Sequence, residues 1–154
     1  NKLREKRPSI RFSSDFIIGY PGENEKEFNE TLNLLEKINF INSFSFIFSP
    51  RPGTKAANFE IINKDVTKER LIIIQKKLFN NQIELNKSME KSTIEVLVEN
   101  KLENQNKYFG RNKFLSSVIF DGEDRYIGKL VNVNIESTNQ NSLFGKVEKN
   151  MKAA

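Results

Sequence analysis

The stretch that decides the fold is SSDFIIGYPGE, residues 13–23, in which an apolar run ends directly in a glycine- and proline-rich loop. Residues 48–54, FSPRPGT, repeat this arrangement after a short aromatic run. Proteins of the α/β class place their ligand-binding loops directly after strands in this way. The two stretches therefore predict an α/β domain that carries two candidate ligand loops.

A helix is predicted between two strands, which we place at residues 10–18 and 44–48. Asn24 and Glu27 form a capping-box pattern at the start of this helix. Its apolar face follows at Phe28, Leu32, Leu35 and Ile38. Strand, helix and strand make a βαβ unit, whose strands should be parallel and whose crossover should be right-handed. Because two parallel strands do not form a stable sheet alone, we expect further strands ahead of residue 1.

The second half of the chain changes from helix to strand. A long helix is predicted from Asp65 to about Met89, with Asp65 or Thr67 as its N-cap. Alternating apolar runs then predict five strands, at residues 93–99, 108–111, 117–120, 128–136 and 143–148. Five short strands in so short a segment indicate a small OB-like β-barrel, closed or nearly closed. We therefore divide the chain into a first domain at 1–90 and a barrel domain at 91–150.

The composition excludes several classes of function. The 154 residues include no Cys and no His, so they offer neither thiolate metal ligands nor the usual general base. The net charge of +5 permits a nucleic-acid partner, but no dense run of Lys and Arg marks a phosphate-binding face. Without an apolar run near the ~20 residues of a membrane helix, or a signal peptide, we expect a cytoplasmic protein with no membrane partner. The charged start without an initiator Met indicates a fragment of a longer protein.

The first loop, residues 19–23, has two interpretations. Gly19 and Gly22 let the backbone approach a ligand, Pro21 fixes the turn, and Glu23 can accept hydrogen bonds from a ribose or amino group. Alternatively, Pro-Gly simply turns the chain and Glu23 stabilises the N-terminus of the next helix. Local grounds alone favour the second interpretation.

The second loop presents Arg51 between Pro50 and Pro52. A guanidinium held in this way suits a carboxylate, a phosphate or a base edge. The alternative is a solvated arginine on a rigid turn. Asp15, inside the first apolar strand, we interpret as structural.

In the predicted barrel, aromatic and basic side chains alternate at Tyr108, Phe109, Arg111, Lys113 and Phe114. Small OB-type barrels bind single-stranded nucleic acid by stacking bases on rings and placing cations on phosphates. For Phe109 and Phe114 individually, a place in the core is favoured. For Arg111 and Lys113, contact with RNA is favoured.

Taken together and in this order, these segments resemble the C-terminal part of the MiaB-type methylthiotransferases, a family of radical S-adenosylmethionine enzymes that modify tRNA. Residues 15–23 resemble the penultimate strand and loop of the family's partial (β/α) barrel, and residues 44–57 its last strand. Residues 89–150 resemble its TRAM domain, including FGR at 109–111 and NSLFGKV at 141–147. The resemblance implies an α/β plus all-β chain: the last two βα units of a partial barrel, followed by the five-stranded TRAM barrel.

The resemblance also implies cofactors and a partner. Enzymes of this family hold two 4Fe–4S clusters through cysteines, use S-adenosylmethionine, and replace an adenine C–H with a methylthio group. This chain has no Cys, so the cluster ligands are expected upstream, and no catalytic or metal-binding residue is expected in the chain. The fragment alone should be inactive, whereas the whole protein is expected to be a monomeric transferase whose partner is the anticodon stem-loop of tRNA.

Carried over residue by residue, the family's pattern assigns three groups of side chains. The lip of the S-adenosylmethionine pocket would comprise Gly19, Pro21, Gly22 and Glu23; the substrate side Arg51 and Thr54; and the RNA surface Tyr108, Arg111 and Lys113.

Two alternatives accompany this interpretation. The run FIFSPRP, residues 46–52, looks most like the branch that acts on isopentenyladenosine beside the anticodon, and a sister branch acting on threonylcarbamoyladenosine has similar loops. The second alternative is a free-standing, non-catalytic TRAM-type RNA-binding module. The unpaired first strand argues against that module, because it would leave an exposed sheet edge.

Overall fold

The computed structural model describes residues 2–103 and 105–148. The chain divides into two compact units, residues 1–81 and 82–154, and the division falls inside a long helix. The helices and strands, in chain order, are α1 Lys2–Lys6, β1 Asp15–Ile18, α2 Glu25–Ile38, β2 Phe44–Ile47, α3 Lys64–Ser88, β3 Thr93–Lys101, β4 Lys107–Asn112, β5 Ser117–Asp121, β6 Leu130–Thr138 and β7 Ser142–Val147. Short 3₁₀ turns lie at Lys55–Asn58 and Asp124–Tyr126. Across the described ranges, none of the helices combines the length and apolar character needed to span a membrane.

In the first unit, β1 and β2 form the predicted parallel pair, in register from Asp15 and Phe44 onward. The first strand is shorter than the predicted range 10–18. The partner segment ahead of β2 contains Asn39 and Asn42, whose φ angles of 52° and 44° are left-handed. An extended strand cannot continue through such residues, so the ladder starts only at Asp15.

The predicted capping box starts α2. The Glu27 N–H donates to Asn24 Oδ1 at 3.1 Å, and the Asn24 N–H donates to Glu27 Oε2 at 2.8 Å. The apolar face of α2 then packs on one face of the strand pair, together with α3. The buried core of this unit consists of Phe16, Ile18, Phe28, Leu35, Ile74 and Leu78.

The start of α3 differs from the prediction. The helix begins at Lys64, and the Asn63 Oδ1 accepts a 2.7 Å hydrogen bond from the Asp65 N–H. Thr67 lies a full turn inside the helix, where its hydroxyl donates to the carbonyls of Asn63 and Lys64. Asp65 and Thr67 are therefore not the N-cap: the helix begins at Lys64, and the side chain of Asn63 satisfies the free N–H group of the second helical residue.

The second unit is a closed barrel with the strand order β3-β4-β5-β7-β6, which confirms the predicted small five-stranded barrel. β5 and β7 are parallel, and the other neighbours are antiparallel. All five predicted strands are present, with ends that differ by one or two residues. The predicted domain end at residue 150 lies outside the described residues.

Strand alternation fills the barrel interior with apolar side chains. The buried set is Val96, Val98, Tyr108, Val118, Phe120, Val131, Val133, Ile135 and Leu143. Two inward positions are glycines: a Cβ on Gly110 would lie 2.3 Å from the Leu97 carbonyl oxygen, and one on Gly145 2.1 Å from that of Asn134. Register shifts occur close by in β3 and β6. The missing side chains let neighbouring strands approach closely where the barrel bends.

Candidate functional site

The first loop is a tight turn seated on α3. The Glu23 N–H donates to the Tyr20 carbonyl at 2.9 Å, and Gly19 and Gly22 have φ angles of 72° and 91°. These values favour glycine. A Cβ on Gly19 would lie 2.2 Å from Cγ2 of Thr67, whereas one on Gly22 would have no neighbour within 4 Å. Gly19 therefore anchors the loop to the helix, and Gly22 is the open point of the loop.

Glu23 is committed to contacts within the protein. Its Oε1 pairs with Arg70 at 2.7 Å, its Oε2 accepts the Gly19 N–H at 3.2 Å, and its side chain is only 12% exposed. Sequence reasoning missed Arg70, which lies 47 positions away in a helix and shows no local signal. The carboxylate shapes the turn, and both of its oxygens already have a donor.

Two open clefts border the first loop and share Pro21, Gly22 and Glu23 as a wall. One cleft has a volume of about 530 Å³ and extends to residues 59–63. The other, of about 560 Å³, extends to Tyr20 and the first turns of α2. The backbone at the tip of the loop is thus reachable by a small molecule.

The two predicted loops lie next to each other. The Tyr20 and Phe48 rings meet edge to face, with centroids 5.2 Å apart, and the Phe48 N–H donates to the Ile18 carbonyl at 2.8 Å. This proximity follows from the parallel pairing, because both loops leave the carboxyl ends of adjacent strands. Cofactor-side and substrate-side candidates therefore share one edge of the first unit.

The second loop is a turn that presents Arg51. Thr54 donates both its N–H, at 3.2 Å, and its hydroxyl, at 2.8 Å, to the Arg51 carbonyl. The Arg51 side chain is exposed and makes no hydrogen bond or ion pair with the residues that the structure describes. Thr54 thus fixes the turn, and the guanidinium of Arg51 is free to meet a ligand.

On the barrel, Arg111 and Lys113 are exposed and each lies over an aromatic ring. The guanidinium of Arg111 is 5.2 Å from the Phe109 centroid and pairs with Glu99 at 3.2 Å. The ammonium of Lys113 is 5.1 Å from the Phe114 centroid. Both cations are held on the outer surface at the end of β4 and just beyond it.

The outer face of the barrel carries an apolar row that was not predicted from the sequence. Phe109, Ile119 and Phe144 pair in register across β4, β5 and β7, and all three are partly exposed. A sequence signal existed: FGR at 109–111 and FGK at 144–146 place the same pattern on the two strands that flank β5. Phe109 therefore lies on the outside of the barrel, whereas a core position was favoured.

Tyr108 lies inside the barrel, only 2% exposed, so its ring has no free face for a nucleobase. Its hydroxyl donates to Asp124 Oδ1 at 2.5 Å. This hydrogen bond, with the nearby Lys101 ammonium, lowers the pKa of Asp124; the same bond raises the pKa of Tyr108. Tyr108 therefore supports the barrel from the inside, against Phe120.

The described residues contain no group of His, Cys, Asp or Glu side chains that could hold a metal ion. With no Cys in the whole sequence, an iron–sulfur cluster does not fit the side chains of this chain. The open tip of the first loop, by contrast, fits a small organic ligand approached by backbone groups.

A closed five-stranded barrel is the architecture of the OB-like class of small β-barrels. Residues 87–147 match the model of the TRAM domain family. Nearly the whole chain is also similar to proteins named tRNA-2-methylthio-N(6)-dimethylallyladenosine synthase. The one from Pelagibacter ubique is 59% identical over 98% of this chain and 34% of its own length. The one from Ruthia magnifica is 44% identical over 95% of this chain and 33% of its own length.

These similarities confirm the resemblance to the C-terminal part of the MiaB-type methylthiotransferases that was inferred from the motifs. It spans about a third of the length of the curated relatives that it matches.

Proposed function

We propose that this chain is the C-terminal third of an enzyme that adds a methylthio group to isopentenyladenosine, the N6-dimethylallyl nucleoside, beside the anticodon of tRNA. The observation that carries the proposal is the 59% identity, over 98% of the chain, to the Pelagibacter ubique protein named tRNA-2-methylthio-N(6)-dimethylallyladenosine synthase. The matched stretch covers 98% of the chain and so includes both loops and the barrel, which makes the relative's substrate the best candidate.

The first unit supports the role of a barrel remnant. Ile17, Phe44 and Phe46 lie on the strand pair and are 57%, 62% and 55% exposed. A two-stranded parallel sheet with an apolar open face needs further strands and cover. In our proposal, residues 1–90 are the last two βα units of a partial (β/α) barrel whose other strands lie upstream.

The barrel, residues 91–150, supplies the contacts to RNA in this proposal. Arg111 and Lys113 would meet phosphates of the anticodon stem-loop, and the row of Phe109, Ile119 and Phe144 would receive unpaired bases. The ion pair to Glu99 holds the Arg111 guanidinium on this face. RNA phosphates would compete with the carboxylate for that guanidinium.

The two loops border the reaction site in this proposal. Gly19, Pro21 and Gly22 would form the lip of an S-adenosylmethionine pocket, with Arg51 on the substrate side, in a turn that Thr54 fixes. The cofactors, two 4Fe–4S clusters and S-adenosylmethionine, would supply the radical chemistry, and the clusters would be held by cysteines upstream. The fragment alone would be inactive, and the whole enzyme would be a cytoplasmic monomer.

A chimera tests the proposal directly. The C-terminal third of the Pelagibacter ubique relative is replaced by this chain, and tRNA is digested and analysed by mass spectrometry. We expect the methylthio derivative of isopentenyladenosine, as the intact relative should give. The relative without its C-terminal third is the control and should give none.

Each other outcome has a defined meaning. A methylthio group on threonylcarbamoyladenosine would assign the chain to the sister branch. A folded chimera that binds tRNA but gives no product, when the intact relative is active, would contradict the proposal and favour an RNA-binding module.

A further inference from the structure

Arg70 is the most enclosed charged side chain of the first unit, and nothing in the sequence pattern assigns it a role. It lies on α3 with its side chain 8% exposed. One guanidinium nitrogen donates to Glu23 twice, to the carbonyl at 3.1 Å and to Oε1 at 2.7 Å, and the other donates to Glu25 Oε2 at 3.1 Å. The guanidinium also lies 5.0 Å from the Phe28 ring centroid.

These contacts join three elements at one point. A single planar side chain links α3 to the last residue of the first loop and to the first turn of α2. An arginine suits this task because its donors are fixed in a rigid fork, whereas a lysine offers one flexible ammonium. A charged group this enclosed is retained in a stable fold only when its partners hold it, so loss of either partner should disturb the loop.

The contacts between Arg70 and Glu23, which we call the clamp, hold the part of the loop that is open to a ligand. Glu23 uses its other oxygen to hold the Gly19 N–H, and Gly19 sits against Thr67 one turn ahead of Arg70 on α3. Both ends of the loop are therefore fixed to α3, and the residues between them border the two clefts.

We propose that Arg70 is a positioning residue that sets the shape of the loop at residues 19–23 for S-adenosylmethionine, and that Glu23 acts through this ion pair and does not contact the ligand. This inference rests on the proposed function. Within the loop, the groups left for the ligand are the backbone and the side chains of Tyr20 and Pro21. Removing Arg70 should loosen the loop and weaken binding without changing the chemistry of the bound complex.

The first test measures the loop itself, in the chimera described above. Hydrogen–deuterium exchange of a peptide covering residues 19–23 is compared for the unchanged chimera, Arg70→Met, Arg70→Lys and Glu23→Gln. We expect exchange to accelerate about tenfold in Arg70→Met, as for loss of a buried charged hydrogen bond, and less in the two conservative variants. The matched control is Lys77→Met, on the same helix as Arg70, which removes an exposed ion pair to Glu36 of α2 and should leave exchange unchanged.

The second test measures the affinity for S-adenosylmethionine by equilibrium dialysis. Arg70→Met should raise the Kd about tenfold, Arg70→Lys should recover part of the loss, and kcat at saturating ligand should change little. Unchanged exchange and unchanged Kd in Arg70→Met would overturn the inference. If Arg70→Met does not fold, Arg70→Lys and Glu23→Gln decide it by the same two measurements.

The failure of the proposed function is distinguishable from the failure of this inference. If the unchanged chimera folds but binds no S-adenosylmethionine, the proposed function fails and the ligand assignment falls with it. If the unchanged chimera binds the ligand and a loosened loop leaves the Kd intact, only the positioning role is overturned.

Discussion

Gly19 is the residue at which a single methyl group should matter most in the first unit. Gly19→Ala adds a Cβ that would lie 2.2 Å from Thr67 Cγ2 at a φ of 72°. The strained backbone and the overlap together should lower the free energy of unfolding by about 3 kcal/mol. Urea unfolding of the chain, at the lowest concentration that circular dichroism allows, measures the change.

Gly22→Ala is the matched control for this substitution. Its φ is 91°, but the added Cβ would meet nothing within 4 Å. Only the strain of the left-handed backbone conformation remains, so we expect the free energy of unfolding to fall by about 1 kcal/mol. An equal decrease in the free energy of unfolding in the two variants would show that the contact between Gly19 and Thr67 does not contribute to stability.

Asp124 should make the barrel sensitive to acid. The hydroxyl of Tyr108 and the Lys101 ammonium lower its pKa below the ordinary value of 3.8. A carboxylate with a lowered pKa in the folded state stabilises the fold above its unfolded pKa, and this contribution is lost as pH falls through the folded pKa. Asp124→Asn should therefore lower the Tm near neutral pH and differ less from the unchanged chain in strong acid.

The same hydrogen bond should also make the stability of the barrel depend on pH in the alkaline range. The pKa of Tyr108 is raised above its ordinary value of 10.0, chiefly by the bond to Asp124. The hydrogen bond from the Tyr108 hydroxyl therefore stabilises the fold fully below that ordinary value, and this stabilisation is lost as pH rises through the raised pKa. Thermal melts across the pH range provide the measurement. Asp121→Asn, which removes an exposed ion pair with Lys107, is the control and should change little.

Among the elements, the outer face of β4, β5 and β7 should bind RNA bases. Phe109→Ala with Phe144→Ala removes two rings from a partly exposed row. Each stacked base contributes about 1–3 kcal/mol, so the affinity for an anticodon stem-loop should fall at least about tenfold, with the Tm little changed. Leu130→Ala, an exposed apolar side chain on β6, is the control. Unchanged affinity in the double variant would remove this row from the interface.

The cations on the same face should determine the salt dependence of binding. Arg111→Glu with Lys113→Glu removes two candidate partners of RNA phosphates. The slope of log K against log salt should become shallower by about 0.7–0.9 for each phosphate that is no longer neutralised. Arg125→Glu with Lys129→Glu makes the same change in charge elsewhere on the barrel. An equal effect of both pairs would indicate that only net charge matters.

For the whole molecule, the open strand pair of the first unit should cause self-association. Ile17, Phe44 and Phe46 are more than half exposed, and apolar sheet surfaces of this kind aggregate. In sedimentation velocity, the chain should form larger species as its concentration rises. Removal of residues 1–81 should leave a monodisperse barrel. A monodisperse full chain with one cooperative unfolding transition would favour a self-sufficient RNA-binding module.

Much of the architecture was predictable because it depends on local patterns. Strand alternation over residues 93–148 predicted the five strands but left open whether the barrel closes, and the pairing of β3 with β6 closes it. The capping box at Asn24 was also local. The N-cap of α3 was missed because Asn63, Asp65 and Thr67 are all good cap residues, and only the path of the backbone selects Asn63.

By itself, the sequence predicted the βαβ unit, the five-stranded barrel and the resemblance to the MiaB-type methylthiotransferases, because periodicity and loop motifs are properties of neighbouring residues. Only the tertiary structure decided what each candidate side chain does. It placed Tyr108 inside the barrel and Phe109 outside, and it joined Glu23 to Arg70. The physical reason is that burial and ion pairing depend on residues brought together from distant positions. A loop can be predicted from five adjacent residues, but Arg70, which holds this loop in place, lies 47 positions away from Glu23.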